Sequence, residues 1–518
     1  MFSLMHSSSV LGVEGKEISV EVDIANGLPQ VSVVGLPDPA VRESVERVRA
    51  AIKNSGFAFP LERITVNLAP ADLRKEGTAF DLAIAAGILT ASGQLEAKPF
   101  ERSMMIGELS LNGDIRPVPG VLAMIEQAKR SGIRKVLLPL ANAKEAAWIT
   151  EMELYAVTHL KELLTQHKGT EAWSDIRFDA AASRELASAA AAEEHAVDIG
   201  DYSDVYGQQQ AKRALLIAAA GKHNILFAGP PGTGKTMMIR RLPGILPPLT
   251  EEEALEVTKI YSAAGKLSTD AKGLIRIAPF RSPHHTISAG GLIGGGSVPK
   301  PGEVTLAHHG VLYLDELPEF SRTVLEVLRQ PLEDGIVTIA RSRAVFHFPA
   351  RLMLAVSFNP YPCGYAGHET AEKRCSCSDS AIAKYKSKMS GPLLDRIDIQ
   401  LEVPRPIERE GNAETPAEMS SSRMRQLVLE ARTRKERRDE ELGLKPGARL
   451  SGTSLRRSIL MKKEAFELLD HALTVLNISM RAYDRILRLA RTIADVEGSD
   501  CVEDVHVAEA IQYRRLDI

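Results

Sequence analysis

Eight consecutive residues, Gly229-Pro230-Pro231-Gly232-Thr233-Gly234-Lys235-Thr236, match the spacing G-x-x-x-x-G-K-[ST] at every fixed position. Glycines at these points let successive backbone N–H groups turn inward onto phosphate oxygens, and a helix starting at the lysine adds the positive end of its dipole. The apolar run from His223 to Ala228 reads as the strand before this loop, and Pro243 stops the helix after it. In that setting Lys235 is expected to contact the β- and γ-phosphates of ATP, and Thr236 to ligate Mg²⁺.

Hydrolysis needs further groups. Val311 to Leu314 is a short apolar strand that delivers Asp315 and Glu316 at its C-terminal end, where ligands bind in open α/β sheets. Asp315 is expected to hold Mg²⁺ through water, and Glu316 to polarise the water that attacks the γ-phosphate. A third strand, Leu352 to Phe358, ends in Asn359, whose neutral amide can orient that water without repelling phosphate. Two arginines are candidates for the fixed cation that a transferring phosphoryl group requires. Arg396 lies in the run Leu393 to Asp398, and Arg481 opens a helix that also carries Arg485, Arg488 and Arg491. Supplied by a neighbouring subunit, such an arginine makes hydrolysis depend on assembly, whereas a surface ion pair is the competing reading of each.

Four cysteines in 518 residues do not make a disulfide framework. Cys363, Cys375 and Cys377, with His368 between them, have the ligand types of tetrahedral Zn²⁺, so a structural zinc site is expected in this loop. Cys501 stands apart and reads as a small core residue.

The elements that must hold these groups follow from length and pattern. A chain of 518 residues exceeds what one hydrophobic core supports, and its apolar fraction of 44% beside 25% charged residues excludes disorder. Lys plus Arg (64) nearly balances Asp plus Glu (67), so any basic surface must be local. The opening MFSLMHSSSVLG lacks the basic and apolar regions of a secretory signal, and the apolar stretch Ala79 to Ala91 is short and interrupted by Asp81. A cytoplasmic location without a membrane partner is expected. Residues 1–165 alternate strand and helix: Ile18 to Ile24 alternates, a turn falls at Asn26-Gly27, and Val41, Val45, Val48 and Ile52 keep helical spacing until Gly56. Strands or helices follow at Arg63 to Leu68, Phe80 to Leu89, Met104 to Leu109 and Lys135 to Leu138. Residues 166–200, rich in Ala and Glu, can form a helix but not a core and read as a linker. The nucleotide unit spans 201–402, a Pro-, Glu- and Ser-rich linker spans 403–422, and 423–518 is helical, with Ala465, Leu468, Leu469, Ala472 and Leu476 on one face.

Several stretches go beyond these general patterns. Phe280 to Thr286 (FRSPHHT), Gly294 to Gly296, Pro299 to Gly302, His308 to Phe320 and Pro331 to Gly335 together closely resemble the magnesium-chelatase-like AAA+ proteins, in their ComM/YifB branch. The resemblance covers nearly the whole chain, including Gly207-Gln208. It implies an α/β chain with an N-terminal Lon/S5-like α+β domain, a central AAA+ P-loop αβα sandwich and a C-terminal helical lid domain. It also implies that Arg396 is a trans-acting arginine finger, Asn359 sensor 1 and Arg481 sensor 2, with Arg485 the nearest competitor for the last role. Partners implied are further copies of the chain in a homo-oligomeric ring, a hexamer, and DNA as the track of a branch-migration helicase in recombination and natural transformation. The alternative, sharing the same ATP site, is a chelatase-like motor that remodels a protein partner. The family's zinc pattern resembles Asn-Pro-Cys-Pro-Cys-Gly followed by Cys-x-Cys; here Tyr361 replaces its first cysteine, and His368 could complete the set.

Two further features bear on DNA. Val337 to Ile339 and Val345 to Phe348 flank Arg341-Ser342-Arg343, a β-hairpin whose tip could project two arginines into a ring pore, where phosphate contacts are sequence-independent. In the N-terminal unit, Lys75 to Thr78, Gly107 to Gly113 and Pro117 to Gly120 look like the Lon-protease domain. A Ser-Lys dyad would need serine near Ala79 and lysine near Leu122, and both are missing; Thr78 and Lys129 are the nearest side chains of either kind. A scaffold or DNA-contacting role is therefore expected of this unit.

Overall fold

The computed structural model describes residues 1–164, 173–193, 199–267, 273–296, 298–341, 344–363, 377–389, 391–405, 419–444, 450, 452–475 and 479–514. Period-two alternation builds the first sheet. β1 (Phe2–Leu11) and β2 (Glu14–Ala25) are antiparallel across the tight turn Gly12-Val13, followed by β3 (Gln30–Val34), β4 (Arg63–Ala69) and β5 (Ser103–Met105). A small ribbon of β6 (Glu108–Leu109) and β7 (Ile115–Arg116) precedes β8 (Lys135–Pro139) and β9 (Glu153–Val157), and the seven-stranded order is β3-β4-β2-β1-β5-β8-β9. β1 is a strand that the sequence reading missed. Its serines hid the apolar signal, yet they are buried, and three of them find acceptors: Ser3 Oγ donates to Gly87 O and Ser7 Oγ to Met105 O, each at 2.8 Å, and Ser8 Oγ to Lys16 O at 2.9 Å. The predicted strand Met104 to Leu109 is divided between β5 and β6, because the Gly107 N–H leaves the sheet to donate to Ala79 O (3.0 Å).

Helices α1 (Pro39–Asn54) and α2 (Asp81–Ala91) pack on one face of this sheet, and α3 (Val121–Arg130) and α4 (Leu140–Ala146) on the other. Asp38 caps α1 by accepting from Val41 N (2.7 Å), and Gly56, at φ +84°, follows its C-terminal end. Within the segment read as a linker, Trp173 is 4% exposed and packs against Phe100 and Tyr155 at 5.0 and 5.7 Å between ring centres. The helix α5 (Ala180–Glu193) also docks there, through Arg184 Nη1 donating to Ala147 O (2.6 Å).

The second sheet is parallel, in the order β11-β14-β17-β10-β18. Its strands are β10 (Ile225–Ala228), β11 (Phe280–Arg281), β14 (Val311–Leu314), β17 (Met353–Phe358) and β18 (Ile399–Glu402), with β12 (Gly294–Gly295) and β13 (Lys300–Pro301) forming a ribbon. A parallel sheet covered on both faces needs apolar residues at every position, which is why its central strands read as unbroken apolar runs. On one face lie α6 (Gln209–Gly221), α7 (Lys235–Arg240) and the C-terminal helices; on the other lie α8 (Glu251–Ala263) and the hairpin of β15 (Ile336–Arg341) and β16 (Ala344–Pro349). The C-terminal helices span Ser421–Glu441, Gly452–Ser458, Lys463–Val475, Met480–Glu497 and Asp504–Gln512. Ala465, Leu469 and Ala472 are buried and Leu468 half-buried, as the periodicity predicted, while Leu476 lies outside the described residues. Cys501 is half-buried rather than a core residue.

The two sheets are bound to each other. Gly120 N–H donates to Ser262 Oγ (3.1 Å), Lys259 Nζ pairs with Glu126 (2.6 Å), and both contacts join α8 to α3 or the turn before it. The Gly12-Val13 turn seats beneath the β15–β16 hairpin, where Val13 shares a core with Phe346 and Phe348. Gly12 has φ +71°, and a side chain there would meet the Phe348 and Phe346 rings at 3.4 and 3.5 Å. No helix among the described residues is long and apolar enough to cross a membrane.

Candidate nucleotide site

Because β10, β14 and β17 run in one direction, their C-terminal ends share an edge of the sheet, and the loops leaving them line a single cleft of about 520 Å³. Its wall comprises residues 231–237, Asp315, Glu316, Ser357, Phe358 and Asn359. Gly229 is fixed by close approach, since a Cβ there would lie 2.3 Å from Val403 O. Gly232 and Gly234 take the left-handed conformation, at φ +82° and +85°.

Lys235 Nζ donates to Gly229 O (2.6 Å), Pro230 O (2.8 Å) and Asn359 Oδ1 (3.2 Å), all neutral acceptors. Burial pulls its ammonium down to about 8, and Asp315 offsets that only partly. A buried cation held by neutral oxygens at the mouth of a cleft fits a polyanionic ligand, so the donor set fits the triphosphate of ATP. Next to it, Asp315 Oδ2 accepts from Thr236 Oγ1 (2.9 Å), while Oδ1 accepts from Ser357 Oγ and from Glu316 N (3.1 Å). A carboxylate and a hydroxyl in contact are the hard oxygen ligands that Mg²⁺ prefers, so the residues present fit that ion as well. Glu316 is exposed at the cleft in the left-handed conformation, φ +54°, a backbone strain of about 1–3 kcal/mol for a residue other than glycine.

Two members of this network were not among the predicted residues. Tyr313 OH lies 3.2 Å from Thr236 Oγ1 and 2.8 Å from Ser357 Oγ, and burial raises its phenol. Each is a polar residue within an apolar strand, two positions before Asp315 or Asn359, and that placement is the available sequence signal. Gln208 also joins the site's rim, donating through Nε2 to Pro404 O (2.8 Å).

The arginines sit elsewhere. Asn224, at the start of β10, donates to Arg396 O (2.8 Å), so Arg396 belongs to the edge where the strands begin. Strands of four to six residues at roughly 3.3 Å each put that edge about 13–20 Å from the cleft. The Arg396 side chain is 8% exposed, pairs with Glu333 and donates to Pro392 O, and its Nε has no partner. Arg481 is exposed on the first turn of Met480–Glu497 and does not line the cleft. Arg485, rather than Arg481, reaches the Arg396 loop: it donates to Asp395 O and lies 3.8 Å from Asp398. Burial pushes the Asp398 carboxyl up, but the His223 hydrogen bond and the nearby Arg485 and Arg488 charges outweigh it and hold it at about 2.

Of the expected zinc set, Cys363 and Cys377 are half-buried, while His368 and Cys375 lie outside the described residues; the zinc expectation gains no support elsewhere. Among the described residues, one group has metal-type ligands together: Glu256, His308 and His309. It reads as a hydrogen-bonded clamp. Arg351 N–H donates to His308 Nδ1 (3.0 Å), which leaves the proton on Nε2, directed at Glu256 Oε2 (2.9 Å), so the nitrogen that would face a metal carries hydrogen. In the first domain, Ala79 and Leu122 are buried in one apolar cluster, which fills the place a Ser-Lys dyad would occupy. Thr78 is bound to Glu108, and Lys129 pairs with Glu151 (3.2 Å), so these two do not form a substitute. Arg341 is exposed at the end of β15, and Arg343 lies outside the described residues.

Comparison with known proteins accounts for this arrangement. The family described as magnesium chelatase, subunit ChlI, matches residues 201–410; subunit ChlI of Mg-chelatase matches 20–142; and the ChlI C-terminal family matches 418–514. YifB of Salmonella typhimurium strain LT2 is 41% identical over 516 residues, covering 99% of this chain and 97% of that protein. The competence protein ComM of Haemophilus influenzae is 41% identical over 517 residues, with the same two coverages. The N-terminal region is similar to Lon protease 2 of Bacillus subtilis, 28% identical over 166 residues and 29% of each chain. A parallel sheet with its phosphate loop, a Lon-like first domain and a helical C-terminus, matched from end to end by these relatives, establish that the chain belongs to the magnesium-chelatase-like AAA+ ATPases of the YifB and ComM family, a family that uses ATP and Mg²⁺ and is typically oligomeric.

Proposed function

We propose that the chain hydrolyses ATP within a hexameric homo-oligomeric ring and uses the cycle to move along DNA, as a branch-migration helicase. The observation that carries this reading is the division of the ATP machinery between opposite edges of the parallel sheet. Lys235, Thr236, Asp315 and Glu316 share the cleft, whereas Arg396 lies at the other edge, out of reach of its own cleft. In a ring, one subunit's far edge meets the next subunit's cleft, which supports Arg396 as the trans-acting finger. Arg481 and Arg485 are then the two candidates for sensor 2, and contact with the Arg396 loop favours Arg485.

Each residue has a distinct task in this scheme. The loop of residues 229–236 binds the phosphates, and Lys235 meets the charge of the β- and γ-groups. Thr236 and Asp315 would hold Mg²⁺, which when bound neutralises phosphate charge. The Glu316 carboxylate takes a proton from the attacking water as its oxygen bonds to the γ-phosphorus. The bond from that phosphorus to the bridging oxygen breaks, and ADP and phosphate leave. Asn359 orients the water through its amide, and the neighbour's Arg396 stabilises the charge of the transferring group.

DNA as the track is supported by the exposed Arg341 on the β15–β16 hairpin and by similarity to a relative named as a competence protein. ATP turnover measured with branched, single-stranded and duplex DNA tests it. Stimulation is expected, greatest on branched DNA and falling steeply with added salt. Turnover indifferent to all three, but raised by a protein partner, would instead favour a remodelling motor.

A further inference from the structure

The segment Phe280 to Thr286 has no part in the nucleotide cleft, yet it adjoins it. β11 pairs in parallel with β14, Phe280 opposite Val311 and Arg281 opposite Leu312, so the loop leaving β11 emerges on the same edge as Asp315 and Glu316. There Arg281, Ser282, Pro283, His284, Thr286 and Ile287 border a second cleft of about 320 Å³, closed by Glu303.

An aromatic stack organises this loop. Exposed His284 lies on His285 with ring centres 4.0 Å apart and planes 34° from parallel, and His285 meets Phe320 edge-on, at 6.4 Å and 81°. The Thr286 hydroxyl (2.9 Å) and N–H (3.4 Å) both reach His284 Nδ1, which fixes the ring and leaves its outer face to solvent. The floor is charge-balanced: Arg281 engages both oxygens of Glu303 at 2.5 and 2.9 Å, and Lys266, outside the cleft wall, lies 3.7 Å from the same carboxylate. Phe320 is buried in the turn that follows Glu316, where Glu319 N–H donates to Glu316 O (2.8 Å). A held, solvent-facing ring beside the apolar side chains of Pro283 and Ile287, with the Arg281 guanidinium below, is the chemistry that stacks an unpaired nucleobase, which any base can satisfy through its π-face.

We propose that this loop is a second DNA contact, stacking a base of single-stranded DNA on His284, and that His285 and Phe320 connect its occupancy to Glu316. The inference rests on the DNA-translocation reading and adds to it a site on the ATPase core, separate from the arginine hairpin.

The test is binding of fluorescent oligothymidine to the full-length protein with a non-hydrolysable ATP analogue, for the wild type, His284→Ala, His284→Phe and Arg341→Ala. A fluorescent ATP analogue bound by each variant controls for folding. His284→Ala is expected to weaken DNA binding about tenfold, and His284→Phe to stay within about twofold of wild type, because a phenyl ring keeps the stacking face. Wild-type affinity in His284→Ala, or His284→Phe as weak as His284→Ala, overturns the stacking site. If Arg341→Ala is weakened in that same experiment, the DNA-translocation reading survives the loss. A wild-type protein that does not bind oligothymidine at all removes both.

Discussion

At the residue scale, Lys235 ties nucleotide binding to pH. Its ammonium is depressed to about 8 by burial, and phosphate oxygens, once bound, favour the charged form. The free protein therefore loses this proton near pH 8 while the complex keeps it. Affinity for ATP should be flat below about pH 8 and fall up to about tenfold per unit above it, with proton uptake on binding. Titration calorimetry in buffers of different ionisation enthalpy measures both quantities; constant affinity through about pH 9.5 without proton uptake contradicts the assignment of Lys235 to the phosphates. The same depressed value has a folding consequence of determined sign. The unfolded chain binds more protons between the two pKa values, so this group's penalty on stability eases as pH rises through that window. Glu316 offers an independent test. Glu316→Gln should retain ATP binding and lose about 10²- to 10⁴-fold in turnover, measured by phosphate release, whereas near-normal turnover removes Glu316 as the base.

At the scale of elements, the first domain packs against two parts of the nucleotide unit. Its β1–β2 turn backs the β15–β16 hairpin, and α3 lies along α8, so hairpin and α8 are both seated on the same body. Gly12→Val adds a side chain at φ +71°, at a cost of about 1–2 kcal/mol, and presses it against Phe348 and Phe346. The expected outcome is loss of DNA stimulation with ATP affinity retained; stimulation equal to wild type would separate the turn from the hairpin's work.

These elements also show what the chain disclosed in advance. Ile225–Ala228, Val311–Leu314 and Met353–Phe358 were legible because a doubly covered parallel sheet demands unbroken apolar runs, and each run ends on the residues that line the cleft. β1 was not, because Ser7 and Ser8 look polar until Met105 O and Lys16 O supply their partners. Tyr313 and Ser357 were hidden for the same reason, being satisfied by each other 44 residues apart. The seat of the first domain was hidden by distance as well, since Gly120 and Ser262 meet across 142 residues. The capping box at the start of α8, by contrast, is local and lies open in the sequence, Thr250 with Glu253 three residues on.

At the scale of the whole molecule, the proposed ring makes the parallel sheet a spacer between two half-sites. Thr236, Asp315 and Glu316 stand at one edge and Arg396 at the other, with Arg485 and Asp398 bracing the Arg396 loop against the C-terminal helices. In the single chain Arg396 is held by Glu333, so its use in catalysis requires that pairing to open when subunits meet. On the proposed reading a complete site exists only between neighbours, and mixing defective subunits tests that directly. Lys235→Ala removes the phosphate contact and Arg396→Ala the guanidinium, and each protein alone should be inactive while Arg396→Ala still binds ATP. Mixed together before assembly, they should regain ATP turnover, greatest near equal proportions, because intact clefts then face intact arginines. No recovery at any ratio, with mixed rings verified to form, would mean that Arg396 does not serve a neighbour's nucleotide.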